Sequence, residues 1–265
     1  MIIERTIAPV FAANCYVIAP KNGSQAIVVD PGAGSAAGAV ALLRSHQLTL
    51  GCVLLTHGHA DHCWDTARLI SLCADAQLLP PGHTTIPVYI PEPDLYRLDA
   101  PHTYTGGART FGATFPQMAG SEWVKPDDVR PLPQSMFTQA EELVDGIAMR
   151  AVPAPGHTEG SSLIFFEGSL DDDGMLIEAE VEADDSAPEL FALDGDVIFK
   201  GAVGRTDLPG GDQVQMMATL RFLAQAVSPS TILLPGHGAI TTMKHEHHAN
   251  PYLAEAKVYG GEQSL

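Results

Sequence analysis

The stretch LLTHGHADHCWD, residues 54 to 65, constrains this chain more than any other. An apolar run stops, and His57, His59, Asp61 and His62 follow within six positions. Imidazole nitrogen and carboxylate oxygen are the ligand types that zinc, iron and manganese accept. One histidine alone would carry little weight, because a lone His is more often a surface or satisfied core residue. Their joint spacing, at a point where a strand gives way to a helix, points to a metal site.

Three further residues pass the same test: His157 in PAPGHTEGS, Asp196 in LDGDVIF and His237 in LPGHG, each beside glycine at the end of a strand-like run. Five imidazoles and two carboxylates are more than a single four-coordinate ion uses, whereas two adjacent ions use them all. The neighbouring glycines 58, 156, 195, 236 and 238 allow tight turns that aim the ligands inward.

The rest of the chain reads as an α/β domain. CYVIA (15–19), QAIVVD (25–30) and CVLLTH (52–57) are short apolar runs ended by turn residues. SAAGAVALLRSHQL between the last two has helix composition, so strands and helices alternate. After the histidine cluster, Cys63, Ala67, Ile70 and Ala74 share one helical face. Pro80 to Gln139 is Pro/Gly-rich and predicts loops, apart from PVYI (87–90) and a short helix after Pro93. MRAVPAPGH, SSLIFFE, ELFALDGDVIF and TILLPGHG supply four more strand-like runs. With no Pro/Gly/Ser-rich linker, residues 1–265 are expected to form one domain.

Charge narrows the function classes. The formal net charge is −18, with 14 Lys and Arg against 32 Asp and Glu, which disfavours nucleic-acid partners held through phosphate. Ten carboxylates and no Lys or Arg lie between Glu167 and Glu189, where the alternation of Glu178, Glu180 and Glu182 with Ala179, Val181 and Ala183 predicts a protruding acidic hairpin at about 168–189. Cys15, Cys52, Cys63 and Cys73 show no CxxC pairing and read as reduced packing thiols. Neither a basic leader nor a spanning segment is legible, so a cytoplasmic protein without membrane partners is expected.

The order THGHADH, PGHTEGS, DGD, PGHG, together with GRTDLPGG (204–211) and TTMKHEHHANPYL, resembles the metallo-β-lactamase fold, and within it the glyoxalase II-like (hydroxyacylglutathione hydrolase-like) branch, over nearly the whole chain. The resemblance implies a four-layer αββα sandwich of two mixed sheets. It implies that His57, His59 and His157 hold one metal, that Asp61, His62 and His237 hold the second, and that Asp196 bridges them. The ions would be two divalent metals, zinc first, with iron or manganese as alternatives. Arg205 and Asp207 are expected to pair and fix the metal loops. Trp64 stands where the family usually has glycine and is expected to pack at the helix start. His245, His247 and His248 are expected to face solvent.

Two divalent ions against Asp61 and Asp196 leave a positive cavity, which favours a bridging hydroxide at neutral pH. The expected activity is hydrolysis of a small acyl thioester, a hydroxyacyl-glutathione or related thiol ester, with Asp61 orienting the nucleophile. Thiolate leaves without prior protonation, as an amide nitrogen does not. The alternative is a mononuclear iron persulfide dioxygenase using His57, His157 and Asp196. The long C-terminal extension that carries glutathione contacts in the branch is not read here, so the thiol carrier stays open. Oligomeric state is not legible.

Overall fold

In the computed structural model, residues 1–105, 114–172, 174–181 and 187–258 are described. The first sheet contains β1 (Ile2–Ile7), β2 (Asn14–Ala19), β3 (Gln25–Val29), β4 (Thr49–Leu54), β5 (Val88–Ile90) and β6 (Val129–Pro131), in that spatial order. Pairs β1–β2 and β2–β3 are antiparallel; β3 to β6 run parallel. The second sheet draws on β7 (Glu141–Glu142), β8 (Ala148–Pro153), β9 (Ser162–Gly168) and β10 (Glu189–Gly195). A small ribbon of β11 (Ile198–Phe199) and β12 (Ala202–Val203) stands apart. With β13 (Ile232–Pro235) and β14 (Thr241–Thr242), the second sheet has the order β14-β13-β10-β9-β8-β7.

Period-two side chains explain the layering. In β2, Tyr16 and Ile18 enter a core shared with Ile164, Phe166, Phe191 and Leu193 of the second sheet. Their neighbours Cys15, Val17 and Ala19 point the other way, into a core with α1 (Ala36–Ser45) and α3 (Thr66–Asp75). On the far side, Leu163, Ala192 and Leu233 pack against α6 (Gln213–Ala226) and α8 (Pro251–Val258). Helices, sheet, sheet, helices: this is the expected αββα sandwich.

Two expectations change. The helical face after the cluster is out of phase, because α2 (Ala60–Cys63) ends before α3 begins, and the buried face of α3 is Thr66, Leu69, Ile70 and Cys73 while Ala74 is exposed. The break sits at buried Asp65, whose Oδ2 accepts from Gly34 N (2.9 Å) and Ala36 N (3.1 Å) at the start of α1. Where an acidic hairpin was expected, Gly174–Glu178 form a helix, α5, with Leu176 and Ala179 buried in the inter-sheet core. Glu178 is anchored by Arg5 at 2.9 Å, so the alternation of charge tracks a helix end rather than a strand. Residues 182–186 of that stretch lie outside the described residues.

The middle section holds β5, β6, the short α4 (Phe115–Ala119) and a 3-10 helix, Glu92–Asp99, after Pro91. Trp64 is buried with Ala33, Ala60 and Phe115, the packing role expected of it. His245, His247 and His248 lie on α7 (Met243–Ala249), of which His248 is exposed and the other two half-buried.

Candidate metal centre

The ligands arrive from strand ends on both sheets. β4 delivers His57 and His59 in the loop that follows it, and α2 carries Asp61 and His62. β8, β10 and β13 run in one direction, and the loop after each places His157, Asp196 and His237 respectively. The sheets are laced together here: Asn14 Nδ2 donates to Pro235 O (2.8 Å) and Gly238 O (3.0 Å), and the Tyr16 hydroxyl donates to Pro235 O (2.8 Å).

All seven side chains converge. The ligand atoms of His57, His59 and His157 lie within 4.8 Å of one another, and so do those of Asp61, His62 and His237. Asp196 reaches both groups, with Oδ1 3.3 Å from His62 Nε2 and Oδ2 3.5 Å from both His157 Nε2 and His237 Nε2. Ring nitrogens face each other directly, His59 Nδ1 to His157 Nε2 at 2.8 Å and His62 Nε2 to His237 Nε2 at 3.2 Å. Buried His57 Nε2 and His59 Nε2 have no hydrogen-bond partner among the described residues. Lone pairs converging in a buried space, some unpaired, are what a pair of cations satisfies. The residues fit the metals.

Two glycines let the groups close up. A Cβ on Gly236 would stand 2.4 Å from Asp196 Oδ1, and Gly195, with φ +48°, would put one 2.5 Å from Thr56 Oγ1. Only glycine fits either place.

Burial, reinforced by the neighbouring His62 and His157, holds His57 well below the ordinary imidazole range. His59 is lowered by burial with His157 and Arg97, and in His157 burial outweighs Asp196. These rings are neutral, as ligation requires. For His62 and His237 the burial penalty is outweighed by Asp196 and Asp61, and both are raised. Asp61 in turn is held at about 2, burial being overcome by His62 and His237, and Asp196 lies well below the usual carboxylate range for the same reason.

The supporting contacts include residues the motifs did not mark. Asp30, at φ +48° after β3, accepts from Thr56 N (2.8 Å) and Thr56 Oγ1 (2.6 Å) and contacts His62 Nδ1 (3.1 Å); Thr56 Oγ1 also lies 3.1 Å from His57 Nδ1. Asp30 groups geometrically with His57 and His62, yet its oxygens are spent on these contacts at the backs of the rings, so it orients ligands. Buried Asp94 accepts from Gly58 N and Gly160 N, each at 2.8 Å, and so ties the His57 loop to the His157 loop. Fully buried Arg97 backs it, with Nε 3.1 Å from Asp94 Oδ1 and Nη2 on Glu159 and Pro209 O.

Arg205 and Asp207 do pair, Nε to Oδ1 at 2.6 Å and Nη2 to Oδ2 at 2.7 Å, but both are exposed. The contact that fixes a metal ligand is the Arg205 carbonyl, which accepts from His157 Nδ1 at 2.7 Å. Arg205 is also one of the residues that line the cavity above the ligands, with Phe11, Phe199 and Leu208.

Residues 8–169 match the model of the metallo-β-lactamase superfamily. The chain belongs to that superfamily. Within it, the chain is 30% identical over 255 residues to an uncharacterized protein of Mycobacterium tuberculosis, covering 96% of this chain and 98% of that one. It is 28% identical over 256 residues to the hydroxyacylglutathione hydrolase GloC of Haemophilus influenzae, covering 96% and 98% of the two chains. The solved structure of TTHA1623 in a di-iron-bound form superposes with TM-score 0.62 at 27% identity, over 94% of this chain and 99% of that one. This metallo-β-lactamase relative is thus a metal-dependent hydrolase by superfamily, and its candidate metal ligands gather where its two sheets meet.

Proposed function

We propose that the chain is a binuclear metal-dependent hydrolase of small acyl thioesters. The observation that carries this is one carboxylate, Asp196, reaching both groups of three ligands. Likeness to a hydroxyacylglutathione hydrolase and to a protein with two irons supports it. His57, His59 and His157 would hold one ion, Asp61, His62 and His237 the other. Bound there, divalent ions lower the pKa of water and polarise a carbonyl.

The protein's own part is positional. Asp94 and Asp30 fix the ligand loops, and Asp61, its carboxyl held low by His62 and His237, would orient the attacking water as well as hold an ion. Water oxygen bonds to the acyl carbon, the C–S bond breaks, and sulfur leaves with the electron pair as thiolate. One proton of the attacking water passes to the thiolate and the other to solvent, so the products are a carboxylate and a thiol.

Asp196→Ala should remove metal and thioesterase activity together, read as metal per chain by elemental analysis and as thiol release. Full activity with two ions still bound would overturn the bridging role. Oxygen uptake with a thiol persulfide, by protein holding one iron, would replace the hydrolase reading altogether.

A further inference from the structure

The cavity above the ligands has a volume of about 380 Å³, at the small end for a ligand site. Apart from the ligands, and among the described residues, Phe11, Thr105, Phe199, Val203, Arg205 and Leu208 line it. Four of these six are apolar and one is a cation. On the apolar wall, Phe11 and Ala12 both have positive φ, 60° and 57°, which is uncommon for L-residues, and the Phe199 ring meets His237 edge-on at 5.9 Å.

Arg205 is fixed at both ends. Its carbonyl is held by His157, and its side chain by Asp207. Asp207 takes the Nε/Nη2 edge of the guanidinium alone. A guanidinium has a second two-donor edge, Nη1/Nη2, and Nη1 has no hydrogen-bond partner among the described residues. That edge belongs to a residue that lines the cavity, and its planar fork matches a carboxylate. Asp207 therefore acts as a clamp that presents the open edge.

Resting on the thioesterase reading above, we infer that the substrate is a small thioester bearing one carboxylate, read by the Nη1/Nη2 edge of Arg205, with an apolar body against Phe11, Phe199 and Leu208. Arg205 is a specificity residue. A peptide thiol with two carboxylates would leave one without a cation among the described lining residues.

The test uses metal-loaded enzyme and three acyl thioesters: acetyl-3-mercaptopropionate, with the carboxylate on the thiol side; succinyl-2-mercaptoethanol, with it on the acyl side; and neutral acetyl-2-mercaptoethanol. Calorimetry of 3-mercaptopropionate against 2-mercaptoethanol gives a readout independent of turnover. At least one anionic ester should exceed the neutral one in kcat/KM by about tenfold or more, the size of one charge-assisted contact. Arg205→Gln should collapse that preference through KM, lowering kcat/KM for the favoured anionic ester more than for the neutral one, and abolish any calorimetric preference for the anionic thiol; Arg205→Lys should restore part of it. Whichever anionic ester is favoured places the carboxylate on the thiol or the acyl side.

Equal rates for all three esters in the unaltered enzyme, or an equal loss on all three in R205Q, would overturn the inference and leave the thioesterase reading intact. No turnover of any ester, with Arg205-dependent binding of 3-mercaptopropionate, would overturn the thioesterase and keep the anion site. No turnover and no preference in binding overturns both.

Discussion

At Asp30, one carboxylate organises two metal-ligand candidates without joining them. Its oxygens meet a backbone N–H, a hydroxyl and an imidazole, and through Thr56 the effect extends to His57. Asparagine is nearly isosteric but offers one acceptor oxygen where Asp30 uses two, so one of its partners would face an N–H₂ group. Asp30→Asn is therefore expected to fold, because its surroundings stay filled, and to weaken metal affinity by about 10- to 100-fold, the usual effect of losing a contact behind a ligand. Competition with a chromophoric chelator measures this directly. Unchanged affinity would mean that Thr56 and the backbone alone set the ring orientations.

At the scale of elements, the ribbon of β11 and β12 depends on a helix far along the chain. Buried Glu246 on α7 accepts from Gly201 N (2.9 Å) within the ribbon, from Thr241 Oγ1 (2.6 Å) and from Asn250 Nδ2 (2.9 Å). Asn250 Nδ2 also donates to Ala202 O at 2.9 Å. The ribbon carries Phe199 and Val203 to the cavity wall and leads into Arg205. Glu246→Ala leaves Gly201 N and Thr241 Oγ1 without this acceptor and takes one acceptor from Asn250 Nδ2, at a cost of roughly 3 kcal/mol, which for a chain of this size lowers Tm by roughly 6 to 12 °C. Thermal unfolding checks the figure, and a Tm shift under about 2 °C would show that water replaces the carboxylate. The segment TTMKHEHHANPYL was recognisable in the sequence, but not this role. A motif marks residues; it does not say that a glutamate and an asparagine four apart clamp a turn 45 residues away.

The whole molecule was legible where its order is local. Short apolar runs ended by turn residues marked β2, β9 and β13, glycine beside His or Asp marked His57, His59, His157, Asp196 and His237, and the crowding of the first cluster added Asp61 and His62. Asp94 and Arg97 were not legible, because each works across long separations: Asp94 bonds Gly58, 36 residues back, and Gly160, 66 residues on, and nothing near it in sequence signals either. The two-residue strands β7 and β14 lack the length for a period to show, and the acidic stretch misled because its charge alternation is independent of its buried Leu176 and Ala179.

On the proposed assignment, the same long-range geometry would make the metals a seam. One group of three takes ligands from the loop after β4 and the other from α2, each joined by a loop of the second sheet, so neither ion would bind unless the sheets are docked. Binding to the folded state alone stabilises it by mass action, about 4 kcal/mol at a thousandfold excess over Kd, which corresponds to roughly 8 to 16 °C in Tm for a chain of this size. Removing metal with a chelator should lower Tm by that order, and restoring it should recover the loss. The inter-sheet core does not depend on the ions, since Phe166, Phe191 and their neighbours pack without them. The chelated protein is therefore expected to keep its far-ultraviolet circular dichroism at 25 °C and to unfold at the lower temperature in one step. If chelated and metal-loaded protein melt together, the ligands are held in place by the sheets alone and the seam contributes nothing to stability.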